Sequence, residues 1–244
     1  MSPPGCPCIL EMKVLISLYA WVVGGMYFVI LCLITIILTF FFKPRTIDPW
    51  IKKNLRFLFK ILFIKVHSEG SENIEPKKTY LFMCNHSSLF DIPLLEAYIP
   101  TFTRGVEALR QFKWPVYGWV IKRLGNIPID RENIHASIRS MKTTEQSLKG
   151  GLSIVILPEG HRTLDGSLGD FKRLPFHLAK QAGVPIIPIG ISGLFQLKRK
   201  GSWIIWPRPV SIKFGEPMDT EVIQALSTEE LRDCIRAKIS DLIN

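Results

Sequence analysis

The hydrophobic pattern along the chain changes period three times. The first block, VLISLYAWVVGGMYFVILCLITIILTFFF (Val14 to Phe42), carries no charged residue. A helix of that length runs about 43 Å, against a hydrocarbon core of about 30 Å. Two geometries suit it: one tilted span, or an anchor that bends or re-enters at Gly24-Gly25. A cleaved signal peptide fits poorly. The block is too long, only Lys13 stands against Glu11 ahead of it, and no small-x-small site precedes Lys43-Pro44-Arg45. The next stretch, WIKKNLRFLFKILFIKV, has helical period. Lys52, Lys53, Arg56 and Lys60 fall within an arc of about 100°, with Ile51, Leu55, Leu58, Ile61 and Leu62 elsewhere. This predicts a helix lying in the lipid interface with those four cations toward anionic head groups. An ordinary surface helix would show the same pattern.

After a polar loop, EGSENIEPKK, short apolar runs alternate with longer amphipathic ones. Strands are predicted at TYLFMC, NIPI (Asn126 to Ile129), SIVIL (Ser153 to Leu157), PIIPIGI (Pro185 to Ile191), WIIW (Trp203 to Trp206) and VSIKF (Val210 to Phe214). A further one is expected around Phe102 to Val106. Helices are predicted over 92–98, 114–124, 134–149, 171–182 and 229–242, the last opened by a capping box of Ser227 and Glu230. The alternation implies an α/β fold with a mixed, largely parallel sheet flanked by helices, behind N-terminal membrane-anchoring helices. The chain divides into an anchor with a basic interfacial helix (1–66) and an α/β domain (67–244). Two prolines in VPIIPI predict an edge or irregular strand.

Charge sharpens this picture. The net charge of +10 falls entirely after the anchor, where 30 basic side chains stand against 20 acidic ones. The basic cluster next to the apolar block puts the large domain on the cytoplasmic face of a membrane. No nucleic-acid motif accompanies the excess, so no nucleic-acid partner is expected. The five cysteines, Cys6, Cys8, Cys32, Cys84 and Cys234, are odd in number and scattered, which suits a reducing compartment. Cys6-x-Cys8 lacks the second pair that zinc requires.

The candidate chemistry lies where predicted strands stop. NHSSLFD places His86 five residues before Asp91. On one continuous helix their side chains would diverge by about 140°. With His86 on the strand-end loop and Asp91 in the first turn of the next helix, they can pair. The carboxylate then fixes the imidazole tautomer and frees the other nitrogen as a base. No serine or cysteine nucleophile motif surrounds them, so a substrate hydroxyl is the expected nucleophile. The alternative is a helix-start histidine with Asp91 as an N-terminal charge. No further histidine or carboxylate stands nearby at metal-ligand spacing, so no metal is expected. In LPEGHRT, Gly160 permits a tight turn, Arg162 suits a phosphate or carboxylate, and Glu159 can accept from a hydroxyl. The alternative is a turn with a surface ion pair. In GNIPIDR, Arg131 is either an anion ligand or the ion-pair partner of Asp130 or Glu132.

In this order, NHSSLFD, GNIPIDR, LPEGHRT, FKRLPFHLA and VPIIPI resemble the glycerophospholipid acyltransferase family, specifically PlsC-like 1-acylglycerol-3-phosphate acyltransferases. The resemblance covers about Tyr80 to Phe214. It implies a membrane enzyme that moves a fatty acyl group from acyl-CoA or acyl-carrier protein to the sn-2 hydroxyl of lysophosphatidic acid. It further implies His86 as general base, Asp91 as its orienting partner, and no cofactor beyond the acyl donor. Glu159, Gly160, Arg162 and Arg131 would hold the glycerol phosphate. Val184, Pro185, Ile186, Ile187 and Pro188 would line the acyl or acceptor pocket. Another acceptor, such as glycerol-3-phosphate or another lysophospholipid, would use the same chemistry, and a non-catalytic lipid-binding protein could share the fold. The sequence departs from the family pattern at His161, where threonine is usual, and at Leu157 and Thr163. It also lacks a clearly placed lysine between the first two motifs, where Arg110 or Lys113 could substitute. The basic LKRKG segment suits an acidic carrier protein or anionic lipid.

Overall fold

The computed structural model describes residues 7–244; Cys6 lies outside them. The apolar block forms one continuous helix from Cys8 to Phe41, long and apolar enough to cross a membrane. It comprises α1 (Pro7–Tyr19), a π-helical turn (Ala20–Gly24) and α2 (Gly25–Phe41). Of the two geometries, the structure has the continuous one: the backbone stays helical through Gly24 and Gly25. Gly24 packs closely on the end of the next helix: a Cβ there would lie 2.7 Å from the Leu62 side chain, which would have to shift.

The chain then turns back into α3 (Pro44–Ile61), which lies against α2 through Tyr27, whose hydroxyl donates to Asn54 Oδ1 at 2.9 Å. Of the four cations expected to face lipid, Lys53, Arg56 and Lys60 are exposed. Lys52 is buried, 3.1 Å from Asp48, and donates to Glu96 O. Arg56 donates to Ala97 O at 2.8 Å and lies over the Tyr98 ring. Lys52 and Arg56 thus grip the protein. An apolar domain surface offering carbonyls and carboxylates competes successfully for cations on that arc.

The domain is a seven-stranded sheet in the order β1 (Val66–Glu69), β7 (Val210–Phe214), β6 (Ile186–Ser192), β2 (Leu81–Cys84), β5 (Ser153–Ile156), β3 (Thr103–Ala108), β4 (Ile127–Ile129). The last five run parallel; β6 meets β7 antiparallel, and β1 is parallel to β7. The first strand straddles the boundary drawn between the two segments, with only Val66 on the anchor side. Its helices are α4 (Asp91–Tyr98), α5 (Tyr117–Leu124), α6 (Ile134–Lys149), α7 (Leu174–Ala182), α8 (Leu194–Leu197), α9 (Thr220–Ala225) and α10 (Thr228–Ile243).

Both sheet faces are covered, so the central strands read as unbroken apolar runs. Phe82 and Cys84 face a core shared with Leu55, Phe59 and Leu94 from α3 and α4. Leu81 and Met83 face a second core with Phe176, Leu231 and Ile235 from α7 and α10. The expected capping box holds α10: Glu230 N donates to Ser227 Oγ at 3.2 Å, and Ser227 N donates to Glu230 Oε2 at 2.8 Å.

Two strand expectations fail. WIIW is extended but joins no sheet. Its backbone is taken by the anchor helix, with Ile205 N donating to Ser17 Oγ at 3.0 Å and Trp21 Nε1 donating to Trp203 O at 2.7 Å. The proline-bearing β6 lies in the sheet interior, not at an edge. Pro188 is tolerated because its nitrogen faces the side where β7 has ended, and Gly215 N donates to Pro188 O at 2.9 Å.

Candidate active site

The parallel strands β2, β5, β3 and β4 all end at one edge, and every candidate side chain follows one of them. In open α/β sheets this is where ligand sites gather. After β2, the Asn85 side chain continues the ladder. It donates from Nδ2 to Ile191 O at 2.9 Å and accepts from Ile191 N at 2.8 Å. That role was not read from the sequence, because the partner lies 106 residues away.

His86 then leaves the strand, and Asp91 opens α4. His86 Nδ1 lies 2.6 Å from Asp91 Oδ2. The same oxygen accepts from Ser87 N at 2.7 Å and Ser88 N at 2.9 Å, and Oδ1 accepts from Ser87 Oγ at 3.2 Å. Asp91 is wholly buried, and these donors, together with its place in the first turn of a helix, stabilise its negative charge. An acceptor-only carboxylate at this distance puts the imidazole proton on Nδ1 and leaves Nε2 as a base. His86 is thus paired with Asp91, which also supplies the N-terminal charge of α4 that the alternative required.

The nearby nucleophile types are otherwise engaged. Ser87 Oγ donates to Asp91, Ser88 Oγ donates to Lys198 O at 2.9 Å, and burial pushes the Cys84 thiol well up. An uncharged, buried thiol is inert.

After β5, Glu159 corrects its expected role. It is buried, and its two oxygens accept from His86 N at 2.5 Å and Gly169 N at 2.9 Å. Burial raises its carboxyl above the usual range, opposed by those two donors. Each oxygen of Glu159 accepts one backbone N–H, so the side chain holds the backbone of His86. A Cβ at residue 169 would come within 2.8 Å of Oε2, so only glycine admits this clasp. Thr163 N adds a second tie, donating to His86 O at 2.9 Å. Gly160 makes the turn with φ +78°, in the region that favours glycine.

The cations at this edge form two groups. Arg131 is lowered by burial and then by the neighbouring Arg110 charge, while Glu107 opposes the shift. Arg162 stands close enough to Lys198 to add to the lowering that burial imposes there. His161 is exposed and lines a cavity of about 310 Å³ with Arg131 and Lys172. Lys113 is exposed.

Val184, Pro185, Ile186, Ile187 and Pro188 form core, not a substrate wall. Ile186 and Ile187 are fully buried on opposite sheet faces. Central position in the sheet leaves such side chains no free surface. The apolar cavity that reaches the dyad loop, about 200 Å³, is lined instead by Leu89, Phe90 and Trp114 with Trp21, Phe28 and Leu58 from the N-terminal helices. A second, more polar cavity of about 220 Å³ opens at His86 itself, beside Thr163, Ser192, Gln196 and Ser240.

Comparison with known proteins places this geometry. The Acyltransferase family model matches residues 65–192, more than half of the chain. A 1-acyl-sn-glycerol-3-phosphate acyltransferase of Cocos nucifera is 34% identical over 167 residues, 68% of this chain and 54% of that protein. One from Pseudomonas aeruginosa is 28% identical, over 73% of this chain and 68% of that protein. The chain spans about half the length of the plant relatives it matches. The crystal structure of the 1-acyl-sn-glycerophosphate (LPA) acyltransferase PlsC of Thermotoga maritima superposes with a TM-score of 0.84 at 27% identity. The superposition covers 96% of this chain and 95% of that one. The matched span encloses the His86–Asp91 pair and its Glu159 clasp, and on that match the chain belongs to the acyltransferase family.

Proposed function

We propose that this protein is a membrane-bound 1-acylglycerol-3-phosphate acyltransferase. It transfers an acyl group from acyl-CoA or acyl-carrier protein to the sn-2 hydroxyl of lysophosphatidic acid. The observation that carries the reading is the 2.6 Å contact between His86 Nδ1 and a fully buried Asp91, which leaves the other ring nitrogen as the base. Nε2 takes the proton of the acceptor hydroxyl as its oxygen attacks the thioester carbonyl. The tetrahedral intermediate collapses, the carbon–sulfur bond breaks, and His86 returns the proton to the departing thiolate. No acyl-enzyme forms, consistent with the engaged hydroxyls of Ser87 and Ser88 and the inert thiol of Cys84.

The names of the relatives, 1-acyl-sn-glycerol-3-phosphate acyltransferases, support the phosphate-bearing acceptor. Arg131, Arg110 and Arg162 are the groups assigned to its phosphate, and the apolar cavity beside Leu89 and Phe90 is assigned to an acyl chain. That cavity is walled by the same helix that is apolar enough for a membrane, so a chain could enter it without crossing water. The exposed Lys53 and Lys60, next to the anchor, favour anionic lipid and the cytoplasmic face.

The test is an acyl-transfer assay on detergent-solubilised protein. Lysophosphatidic acid, glycerol-3-phosphate and lysophosphatidylcholine are offered with each donor, beside His86→Ala. Phosphatidic acid formed by the parent and not by the variant is the expected result. Transfer to another acceptor alone would keep the dyad and change the substrate. No transfer from folded protein would leave a lipid-binding role.

A further inference from the structure

The dyad loop stands between two cavities. Leu89 and Phe90 line the apolar one, together with the N-terminal helices. Asn85, His86 and Ser87 line the polar one, of about 220 Å³, together with the end of α10. Ser192 closes β6 and points to the α10 side by strand alternation. Gly190, two residues before it, meets α10 so closely that a Cβ there would lie 2.5 Å from Leu242 Cβ. Ser192 and Ser240 are half-buried and Gln196 is exposed, so all three can meet a ligand in this cavity. The hydroxyls of Thr163 and Ser167 already donate to Asp165.

Among the described residues that line the polar cavity, His86 and Glu159 are the only titratable side chains, and Glu159 accepts from His86 N and Gly169 N. Arg236, one turn before Ser240 on α10, donates to the carbonyls of Gly169 and Leu168. The lining thus has no lysine or arginine for a phosphate, and its hydroxyls and amide are poor company for an alkyl chain. It suits an uncharged ligand rich in hydrogen-bonding groups. Lysophosphatidic acid is an alkyl chain, an ester and an anionic head. The donor is an alkyl chain on one side of its thioester and, on the other, a pantetheine arm with amides and a hydroxyl. At the rim the character changes. Arg199 lies 5.3 Å over the ring of Phe195, a lining residue, and both Arg199 and Lys200 are exposed. In CoA and in acyl-carrier protein alike, the arm ends on a phosphate.

We propose that the polar cavity takes the pantetheine arm of the acyl donor. Ser192, Gln196 and Ser240 meet its amides and hydroxyl, and Arg199 meets the phosphate at its end. The thioester then lies at His86, with the acyl chain in the apolar cavity on one side of the dyad loop and the arm on the other. The inference rests on the acyltransferase reading.

The experiment gives the full-length protein lysophosphatidic acid and one acyl chain on four thiols: ethanethiol, pantetheine, CoA and acyl-carrier protein. In the parent, acyl-pantetheine is expected to lead the ethanethiol thioester by about tenfold or more in kcat/KM, because the bound arm holds the thioester in place. Gln196→Leu/Ser240→Ala should cut that lead about tenfold, the loss of two hydrogen bonds, with the KM for lysophosphatidic acid unchanged. Arg199→Ala should weaken acyl-CoA or acyl-carrier protein about tenfold and leave acyl-pantetheine, which has no phosphate, as it was. Whichever of the two is weakened is the source of the arm; if neither is, the assignment of Arg199 falls. Free pantetheine should compete with the donor and not with lysophosphatidic acid in the parent, a readout that serves if the double variant does not fold. A lead near one in the parent, a lead untouched by the double variant, or competition with lysophosphatidic acid overturns the proposal. Absence of product from every donor in the parent would instead sink the acyltransferase reading.

Discussion

Two strand-end loops meet at the candidate site, and they are built on opposite plans. In the loop after β2, the residues from Asn85 to Asp91 hold one another: two backbone N–H groups, a hydroxyl and the imidazole all converge on Asp91. In the loop after β5, adjacent residues do unrelated jobs. Glu159 turns inward and clasps the backbone of His86, while His161 is exposed and Arg162 stands beside Lys198. The first loop sets the geometry of the His86–Asp91 pair. The second supplies a structural clasp for His86 and carries the cation Arg162. A motif can therefore be continuous in sequence and divided in function, and the division follows burial.

The comparison is broken hardest at the dyad. His86→Ala should lower the rate of acyl transfer by roughly 10²- to 10⁴-fold, the range of a lost general base, with the thermal melt unchanged. Loss of melt cooperativity would mean that the ring is structural. Glu159→Gln comes next. Gln presents one amide nitrogen to an N–H group, so one of the two clasping bonds is lost, at a cost of about 1.5–3 kcal/mol for a charged bond. We expect kcat to fall about tenfold with little change in acceptor KM, because His86 is misplaced while the cations remain. A raised acceptor KM at constant kcat would return Glu159 to the phosphate site.

Arg131→Ala and Arg162→Ala should do the reverse, raising the KM for lysophosphatidic acid about tenfold and sparing the acyl-donor KM. An unchanged acceptor KM in both would move the phosphate elsewhere.

The clasp also has a pH signature. Burial raises the carboxyl of Glu159, so the folded protein holds that proton more tightly than the unfolded chain. Its relative contribution to stability is present below the unfolded value and is lost as pH rises through the folded one. Urea melts of parent and Glu159→Gln across that window should show a negative slope in the parent that the variant lacks. Equal slopes would deny the shift.

The smallest effect concerns the interfacial helix. Lys53→Ala and Lys60→Ala should each weaken binding to anionic vesicles by about 1 kcal/mol, while neutral vesicles are bound equally. Lys52→Met, whose side chain is buried against Asp48, should leave vesicle binding alone and lower the melting temperature.

Much of this architecture could be read in one dimension. The span of α6 from Ile134 to Lys149 and the Ser227–Glu230 cap are local, governed by periodicity and by side chains three residues apart. The pairing of His86 with Asp91 was legible for the same reason, since only five residues separate them. The failures share the opposite property. WIIW has the composition of a strand, but its neighbour is Ser17, 188 residues away on a helix. VPIIPI suggested an edge or irregular strand because prolines avoid ladders; the strand is interior, and its irregularity is that the missing N–H of Pro188 falls where β7 has already ended. Lys52 belonged to a basic arc, and an aspartate and a glutamate of the protein claimed it. The clasp of Glu159 on His86 joins residues 73 apart.

The boundary is one of reach. Periodicity, capping and the His–Asp spacing act over a few residues, where backbone geometry alone limits the outcomes, so the linear chain determines a long apolar helix, an α/β order of elements and a paired His86 and Asp91. Which face of a helix is buried, which carboxylate is desolvated and which apolar run becomes a wall depend on groups brought together by the sheet. Those energies exist only once water has been excluded between distant segments. The fold, and not the motif, therefore makes Glu159 a clasp on the His86 backbone and buries Ile186 and Ile187 in the core.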